Sequence, residues 1–325
     1  MTIRTRLCDL LGIDYPIMLA GMGGVSYAEV CAAVSEAGGF GTLGMAGRRP
    51  EEIRAEMRKV RALTKRPFGV DLLAAMPESL EQSADIIIEE GASAFISGLG
   101  VPAPHLVKKF HDAGLKVMNI AGTVKHVKAA EAGGLDAVVA QGTEAGGHTG
   151  RVAAMAIVPQ AVDAVKIPVI AAGAIVDGRG MAAALALGAQ GVWVGTRFIA
   201  STEAHAGAMY KQVVVDARDE DTIVTRCYSG KPMRVFNNPY VKDWESRPQD
   251  IQKFPTQAIV SAQAGVMGGI GGQTEGLDRD RSCFAMGQGA GGIHAVLPCA
   301  TIIQNMVREA EETILRLTQL TAGSR

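Results

Sequence analysis

Residues 137–150, AVVAQGTEAGGHTG, combine residue types that a ligand site requires. Four small or β-branched apolar residues precede a loop with four glycines, one carboxylate (Glu144) and one histidine (His148). Histidine acts as an acid or a base near neutral pH, and glycine lets a backbone approach a ligand closely because it has no Cβ. A short apolar run that stops at glycines predicts a buried strand entering a tight loop. The alternative for His148 is a core histidine satisfied by a backbone carbonyl.

Eight short apolar runs alternate with amphipathic segments of helical length, a pattern that predicts a parallel sheet buried on both faces. The predicted strands are 16–20, 40–43, 68–72, 94–97, 116–120, 137–141, 168–172 and 191–195, and the predicted helices include 27–37, 50–63, 80–90, 103–113, 124–132 and 180–187. Eight such units predict an α/β fold, a (β/α)8 TIM barrel. A doubly wound sheet would favour GxGxxG after its first strand, and the glycines of residues 21–24 lack that spacing.

The pattern changes after Gly195, where residues 201–285 are more polar and show no obvious strand alternation. We predict that residues 201–285 form a mostly helical cap, or substrate domain, inserted after strand 8. Residues 1–200 and 286–325 would form the barrel, closed by a C-terminal helix. The elements predicted in this part of the chain are helices over 205–217, 255–266 and 300–320 and a flexible glycine-rich loop over 265–276.

The ends of strands 7 and 8 predict a phosphorylated ligand. In a barrel, the loops at these two places often bind phosphate through backbone amides. Gly173 with Ala174 and Gly195 with Thr196 stand there, and the Thr196 hydroxyl adds a donor. The alternative is that these glycines only relieve crowding at the strand ends.

Charge and hydropathy argue against two classes of partner. The net charge is −1 with both signs mixed along the chain, so we expect neither nucleic acid nor an anionic membrane as a partner. No run reaches the roughly 18 apolar residues of a membrane helix, and the first residues lack the apolar core of a signal peptide. The expected ligand is a small molecule. The sequence leaves open whether the chain forms a homo-oligomer.

Cysteine and histidine spacing argue against structural crosslinks. The five cysteines are widely spaced without a CxxC pair, which disfavours a disulfide framework and a structural zinc site and predicts a reducing, cytoplasmic location. The histidines lack metal-ligand spacing such as HExxH, so we expect no metal.

Several motifs together resemble the nitronate monooxygenase family, formerly called 2-nitropropane dioxygenases, to which flavin-dependent enoyl-acyl carrier protein reductases are related. The motifs are MLAGMGG near the start, AQGTEAGGHTG after strand 6, VIAAGAIVDGRG on strand 7, VWVGTRF on strand 8 and MGQGAGG near the end. They cover almost the whole chain in order. The QGTEAGGH and GTRF elements are specific when they occur together.

This resemblance implies FMN at the barrel mouth. His148 would be the catalytic residue near the substrate and flavin N5, where it would orient a nitronate or take a proton from a neutral nitroalkane. The cofactor would carry the redox chemistry, and the protein would supply position and electrostatics. The residues implied to bind FMN are Ala20, Gly21, Met22, Asp71, Gln141, Gly146, Gly147, Ala172, Gly173, Gly195, Thr196, Met286, Gly287 and Gln288.

The implied activity is the oxidation of alkyl nitronates with O2 to carbonyl compounds and nitrite. A second hypothesis keeps FMN but takes electrons from NADH or NADPH and passes them to a quinone or an enoyl thioester. A third is a barrel that binds a phosphorylated ligand without turning it over.

Two positions depart from the family pattern and leave the electron donor and the substrate open. Asp71 ends strand 3, where relatives commonly have Asn. A carboxylate only accepts hydrogen bonds, whereas Asn also donates, and an ionised Asp71 would disfavour an anionic reduced flavin. Strand 5 ends at residues 118–121, MNIA, without the lysine that some relatives have there.

Three further charged residues have two interpretations each. Lys231 and Arg234 belong to a cap-loop motif of the same family, SGKPMR, and would bind an anionic substrate or a cofactor phosphate, or lie in a solvated turn. Glu144 lies close to His148 in sequence, where it would bias the pKa of the histidine or cap the local loop.

Overall fold

The computed structural model describes residues 3–322. Its strands are β1 Ile17–Leu19, β2 Gly41–Gly44, β3 Phe68–Leu73, β4 Ala94–Gly98, β5 Lys116–Ala121, β6 Ala137–Gln141, β7 Gly147–His148, β8 Val169–Ala172, β9 Gly191–Val194, β10 Thr222–Thr225 and β11 Met233–Phe236. Eight of them form a parallel sheet in the order β1-β9-β8-β6-β5-β4-β3-β2. A parallel bridge between Met18 and Phe40 brings β1 against the start of the second unit. This arrangement confirms the predicted TIM barrel.

The helices lie mainly between the barrel strands, and the predicted bounds 50–63 and 124–132 are those observed. Pro50 starts α3, where its missing N–H costs nothing, and Glu52 accepts from the Arg49 N–H. The helices are α1 Arg6–Leu11, α2 Ala28–Glu36, α3 Pro50–Leu63, α4 Pro77–Glu89, α5 Pro104–Asp112, α6 Val124–Ala132, α7 Ala154–Ala164, α8 Gly178–Ala186, α9 Thr196–Ile199, α10 Ala208–Asp216, α11 Pro239–Glu245, α12 Thr256–Gln263, α13 Gly268–Gly271 and α14 Cys299–Ala322.

Side chains alternate between two apolar layers along the barrel strands, as a period of two requires. In β4, Ile96 points into the barrel interior, whereas Phe95 packs in the layer between sheet and helices. Leu7 and Leu11 of α1 belong to the interior cluster. The Leu7 side chain lies against Gly191 at the start of β9. Helix α1 therefore covers the amino end of the barrel and leaves the carboxyl end for the site.

Residues 201–285 contain two short strands, β10 and β11, besides their helices, although the sequence shows no obvious strand alternation there. Strands β10 and β11 form an antiparallel hairpin, and β11 also pairs with β7 through Met233 opposite His148. Each of these strands has only two to four residues, too few to produce a visible alternation. Helices α10 and α12 lie inside the predicted helical segments, and α13 is a short helix within the predicted loop.

The C-terminal helix α14 packs on α8, one of the helices around the barrel. A Cβ on Gly178, the first residue of α8, would lie 2.3 Å from backbone atoms of Met306 and Ala310 in α14. The Gly178 N–H donates to Glu309 over 3.0 Å. Within residues 3–322, no helix is both long enough and apolar enough to cross a bilayer. The division into barrel and cap stays a prediction.

Candidate active site

A cavity of about 800 Å³ opens at the carboxyl end of the barrel strands. Its barrel wall consists of the residues that follow β1, β3, β4, β5, β6, β8 and β9, and its opposite wall comes from residues after 200, including Tyr210, Lys231 and Ile270. The volume lies within the roughly 300–1,000 Å³ typical of small-molecule sites.

Most residues proposed for the site from the sequence meet at this cavity. Those that line it are Ala20, Gly21, Met22, Asp71, Gln141, Gly146, Gly147, His148, Ala172, Gly173, Gly195, Thr196, Lys231 and Gly287. Met286 and Gln288 flank Gly287 but do not themselves line the cavity. Arg234 also lies outside the lining, because its buried guanidinium donates to the Thr143 carbonyl at 3.0 Å and to the Thr222 hydroxyl at 3.1 Å. The structure thus gives Arg234 a structural contact between the hairpin and the loop after β6.

His148 is held by the hairpin of residues 222–236. It belongs to β7, which pairs with β11, and its Nε2 lies 3.0 Å from Oγ of Ser229. The Ser229 hydroxyl is itself fixed, because it accepts from the Lys231 N–H and lies 3.2 Å from the Lys231 carbonyl. Burial, and then the positive charge of Lys231, lower the pKa of His148 below its usual 6.5. His148 is therefore a neutral imidazole at neutral pH, the form that acts as a base.

Glu144 caps a helix. Both of its carboxylate oxygens lie 3.0 Å from the backbone N of Ala154, the first residue of α7. The pKa of His148 is shifted by burial and by Lys231. Of the two interpretations of Glu144, the structure thus supports the cap.

Asp71 is a buried carboxyl in the cavity wall. The residue is 6% exposed, and its Oδ1 has no hydrogen-bond partner among residues 3–322. Burial raises its pKa well above the usual value, because taking a carboxyl out of water disfavours the charged form. The carboxyl lies directly over Gly21, where a Cβ would come within 2.3 Å of Asp71 Oδ2.

Two glycine-rich loops touch each other beside His148. A Cβ on Gly146 would lie 2.7 Å from the backbone of Met286 and Gly287. The Gly287 N–H donates to the Thr196 hydroxyl over 2.9 Å, and the Gln288 N–H donates to the Glu144 carbonyl over 3.0 Å. These contacts join the late MGQGAGG motif to the ends of β6 and β9.

The turn after β8 has an unusual backbone. Gly173 has φ +116° and Ala174 has φ +53°, both in the left-handed region that favours glycine. Both residues line the cavity next to Gly195 and Thr196. The two loops expected to bind phosphate therefore lie at one end of the cavity.

Positive charge lies at the cavity and at a neighbouring cleft. The Lys231 ammonium lies 4.5 Å from the centroid of the Phe254 ring, a favourable cation–π geometry. A second cleft of about 420 Å³ shares Gly150 and Pro232 with the main cavity. Its wall includes the exposed side chains of Arg151 and Arg226.

The sequence did not identify several residues that shape the site. Ser229 lies in the SGKPMR motif, but no local spacing links it to His148, which is 81 positions away. Asn119 lines the cavity, and its amide donates to the carbonyls of Ser97 and Gly100 at 3.0 and 2.6 Å. Arg197 of GTRF is buried, and it donates to the carbonyls of Ala200 and Ala295. Its part in the specific motif is therefore structural.

Comparisons with known proteins agree with this architecture. The profile of the nitronate monooxygenase family matches residues 4–309. A probable nitronate monooxygenase of Staphylococcus saprophyticus is 33% identical over 302 residues, which cover 79% of this chain and 85% of that protein.

Two solved structures are similar over nearly the full length. FabK from Thermotoga maritima superposes with a TM-score of 0.90 at 36% identity and covers 98% of this chain and 100% of its own. The nitroalkane oxidase from Streptomyces ansochromogenes superposes with a TM-score of 0.84 at 28% identity, covering 96% of this chain and 100% of its own. The chain belongs to the nitronate monooxygenase family and is a flavin-dependent oxidoreductase.

Proposed function

We propose that the protein is an FMN-dependent nitronate monooxygenase that oxidises alkyl nitronates with O2 to carbonyl compounds and nitrite. The observation that carries this proposal is the half-buried, neutral His148 beside the Lys231 ammonium in one cavity. A base next to a cation suits a substrate that is a weak carbon acid in its neutral form and an anion after deprotonation.

The cavity wall fits FMN. The backbone of Gly173, Ala174 and Gly195 and the Thr196 hydroxyl would hold its phosphate. The flat ring system would lie against small residues, namely Gly21, Gly146 and Gly147, together with Ala20, Met22, Gln141, Ala172, Gly287 and Asp71. Side chains at positions 21 and 146 would collide with neighbouring atoms, so this wall requires glycine. When bound, FMN would supply the redox chemistry.

His148 would take the proton from the carbon that carries the nitro group of a neutral nitroalkane. A neutral imidazole has one unprotonated ring nitrogen that can take this proton, and the contact of Nε2 with Ser229 holds the ring in place. The product of the transfer is an anion, and the ammonium of Lys231 in the same cavity would stabilise it. A nitronate supplied as such needs no base, and here the ammonium of Lys231 would orient it.

The test is nitrite formation and oxygen uptake by the FMN-loaded protein with a nitronate and with its neutral nitroalkane. We expect nitrite from both. His148→Ala should keep FMN and lose about 10²–10⁴-fold in turnover of the neutral nitroalkane, the range typical of a lost general base. An unchanged rate with the neutral nitroalkane would remove His148 from the reaction, and no nitrite from the nitronate would overturn the proposal.

A second candidate is a reductase that oxidises NADH or NADPH and reduces a quinone or an enoyl thioester. Two observations favour it: the similarity to FabK and the arginine-lined cleft beside the cavity, which suits the phosphates of a nucleotide or an acyl carrier. Anaerobic oxidation of NADH or NADPH with either acceptor tests it. The double variant Arg151→Ala/Arg226→Ala should then raise the KM for the phosphorylated substrate.

We also propose a cytoplasmic location. All five cysteines are free and buried, as suits a reducing compartment.

A further inference from the structure

The side-chain carboxyl of Asp71 lacks hydrogen-bond partners within the described residues. It is buried in the cavity wall, and Oδ1 has no hydrogen-bond partner within the described residues. A buried polar atom without a partner is uncommon in a native protein and requires an explanation. Oδ1 is closed off from the cavity, whereas Oδ2, over Gly21, is not fully buried and has no hydrogen-bond partner among residues 3–322. Oδ2 is therefore the oxygen that a ligand in the cavity reaches.

Among residues 3–322, no opposite charge is packed against this carboxyl. The packed neighbours are the loop of residues 20–25, strand β2 with Met45, whose N–H donates to the Asp71 backbone carbonyl, and strand β4, where Gly98 lies near Oδ1. None of these segments contains a titratable or charged side chain. The titratable residues elsewhere in the cavity wall are His126, His148, Tyr210 and Lys231, and burial is the cause of the raised pKa of Asp71.

A buried carboxylate without a cation is costly, and such a group takes up a proton instead. A protonated carboxyl has one O–H donor, as the amide of Asn has N–H donors. We propose that Asp71 is a neutral carboxylic acid that donates a hydrogen bond to an acceptor atom of the ligand in the cavity, so that binding weakens as Asp71 ionises. The inference rests on the proposed function in identifying this ligand as FMN, whose ring nitrogens and carbonyl oxygens are acceptors.

The protonation state is measured first, on the full chain with and without FMN. An infrared difference spectrum between the wild type and Asp71→Asn isolates the stretching band of this carboxyl. At neutral pH we expect the band of a carboxylic acid, replaced by carboxylate bands at higher pH. Carboxylate bands alone at neutral pH would overturn the inference, whether or not FMN binds.

The hydrogen bond is measured through the dissociation constant of FMN between pH 6 and 10, followed by flavin fluorescence. Wild-type affinity should fall as the pH rises through the pKa of Asp71. Asp71→Asn should lack this fall, because its amide donates at every pH, and Asp71→Leu should bind about tenfold more weakly at pH 6. Asp85→Asn, a change at an exposed carboxylate on α4, is the control and should follow the wild type.

The outcomes separate the two proposals. Wild-type affinity that stays constant over a pH range in which the infrared bands show Asp71 ionising, or Asp71→Leu binding as tightly as wild type at pH 6, would overturn the hydrogen bond while FMN remains the cofactor. A chain that binds no FMN at any pH would overturn the proposed function and the hydrogen bond together. In that case the infrared band still decides whether the carboxyl is neutral.

Discussion

At the scale of single residues, burial acts in opposite directions on the pKa values of two groups in one cavity. It lowers the pKa of His148 and raises that of Asp71. Both shifts favour the neutral form, because each removes a charge from a site with little water. The result is a base and a hydrogen-bond donor that carry no net charge, next to the ammonium of Lys231.

Replacing Lys231 with Met should move the pH profile of kcat/KM for a neutral nitroalkane. The rate falls as the pH drops through the pKa of His148, because the protonated imidazole is no longer a base. Lys231 lowers that pKa, so its removal raises the pKa and moves the acid limb to higher pH. Lys65→Met, at an exposed lysine two residues after the end of α3 and outside the cavity lining, is the control. An acid limb at the wild-type position in Lys231→Met would contradict this electrostatic link.

Ser229→Ala should release the His148 ring. The lost hydrogen bond of 3.0 Å is worth about 1 kcal/mol, or roughly fivefold in rate. We expect kcat for a neutral nitroalkane to fall by this factor and the rate with a preformed nitronate to fall less, because the latter needs no proton transfer. Ser246→Ala, which removes a hydroxyl bonded only to its own turn in the described chain, is the control. Equal losses with both substrates would indicate a general structural defect instead.

At the scale of elements, the site depends on contacts between segments far apart in sequence. Strand β11 of the β10–β11 hairpin pairs with β7 and so fixes the position of His148. The loop after β6 lies directly against residues 286–288. A disturbance in either segment should therefore change both the position of His148 and the shape of the cavity.

Gly146→Ala tests the contact between these two loops. The new Cβ would lie 2.7 Å from backbone atoms of Met286 and Gly287, which cannot move aside as the end of a flexible side chain can. We expect the overpacking to lower the free energy of unfolding by about 1–3 kcal/mol and to weaken FMN binding. Gly271→Ala, whose Cβ would meet nothing within 4 Å, is the matched control. FMN affinity and thermal stability at wild-type values in Gly146→Ala would show that the loops do not pack as described.

The barrel was predictable from the sequence because its signals are local. Each barrel strand is a buried run of small or branched apolar residues that ends at the mouth, so the run over 137–141 has the observed bounds of β6. Strand β11 was missed because its register with β7 is set by a partner some 85 residues away, and MRVF alone shows no pattern. The contact of Ser229 with His148 and the burial of Asp71 are likewise products of tertiary packing.

At the scale of the whole molecule, the amino end of the barrel is covered, and the C-terminal helix packs on helices that flank early and late barrel strands. Helix α1 covers the amino end, and α14 packs on α8 and α2. Only glycine fits at position 178, because the backbone of α14 occupies the space that a Cβ would need. The ligand cavity therefore lies at the carboxyl end.

Gly178→Ala should destabilise the fold without changing the chemistry of the site. A Cβ 2.3 Å from the backbone of α14 forces the two helices apart. This should lower the free energy of unfolding by about 1–3 kcal/mol. Thermal unfolding should show a lower Tm, while the folded fraction keeps the wild-type KM for a nitronate. Gly180→Ala, two residues further along α8, is the control, because the nearest atoms to its Cβ would lie at an ordinary 3.5 Å. A Tm equal to that of the control would contradict the close packing of α8 and α14.

The identity of the electron donor is the central question, and anaerobic stopped-flow absorbance of the FMN-loaded protein answers it most directly. The protein is mixed separately with propionate 3-nitronate, NADH and NADPH, and loss of the flavin absorption band is followed in time. We expect the nitronate to change the flavin spectrum at a rate that sustains turnover, and neither nucleotide to do so. Rapid bleaching by NADH or NADPH, with no response to the nitronate, would contradict the proposed monooxygenase and establish a reductase.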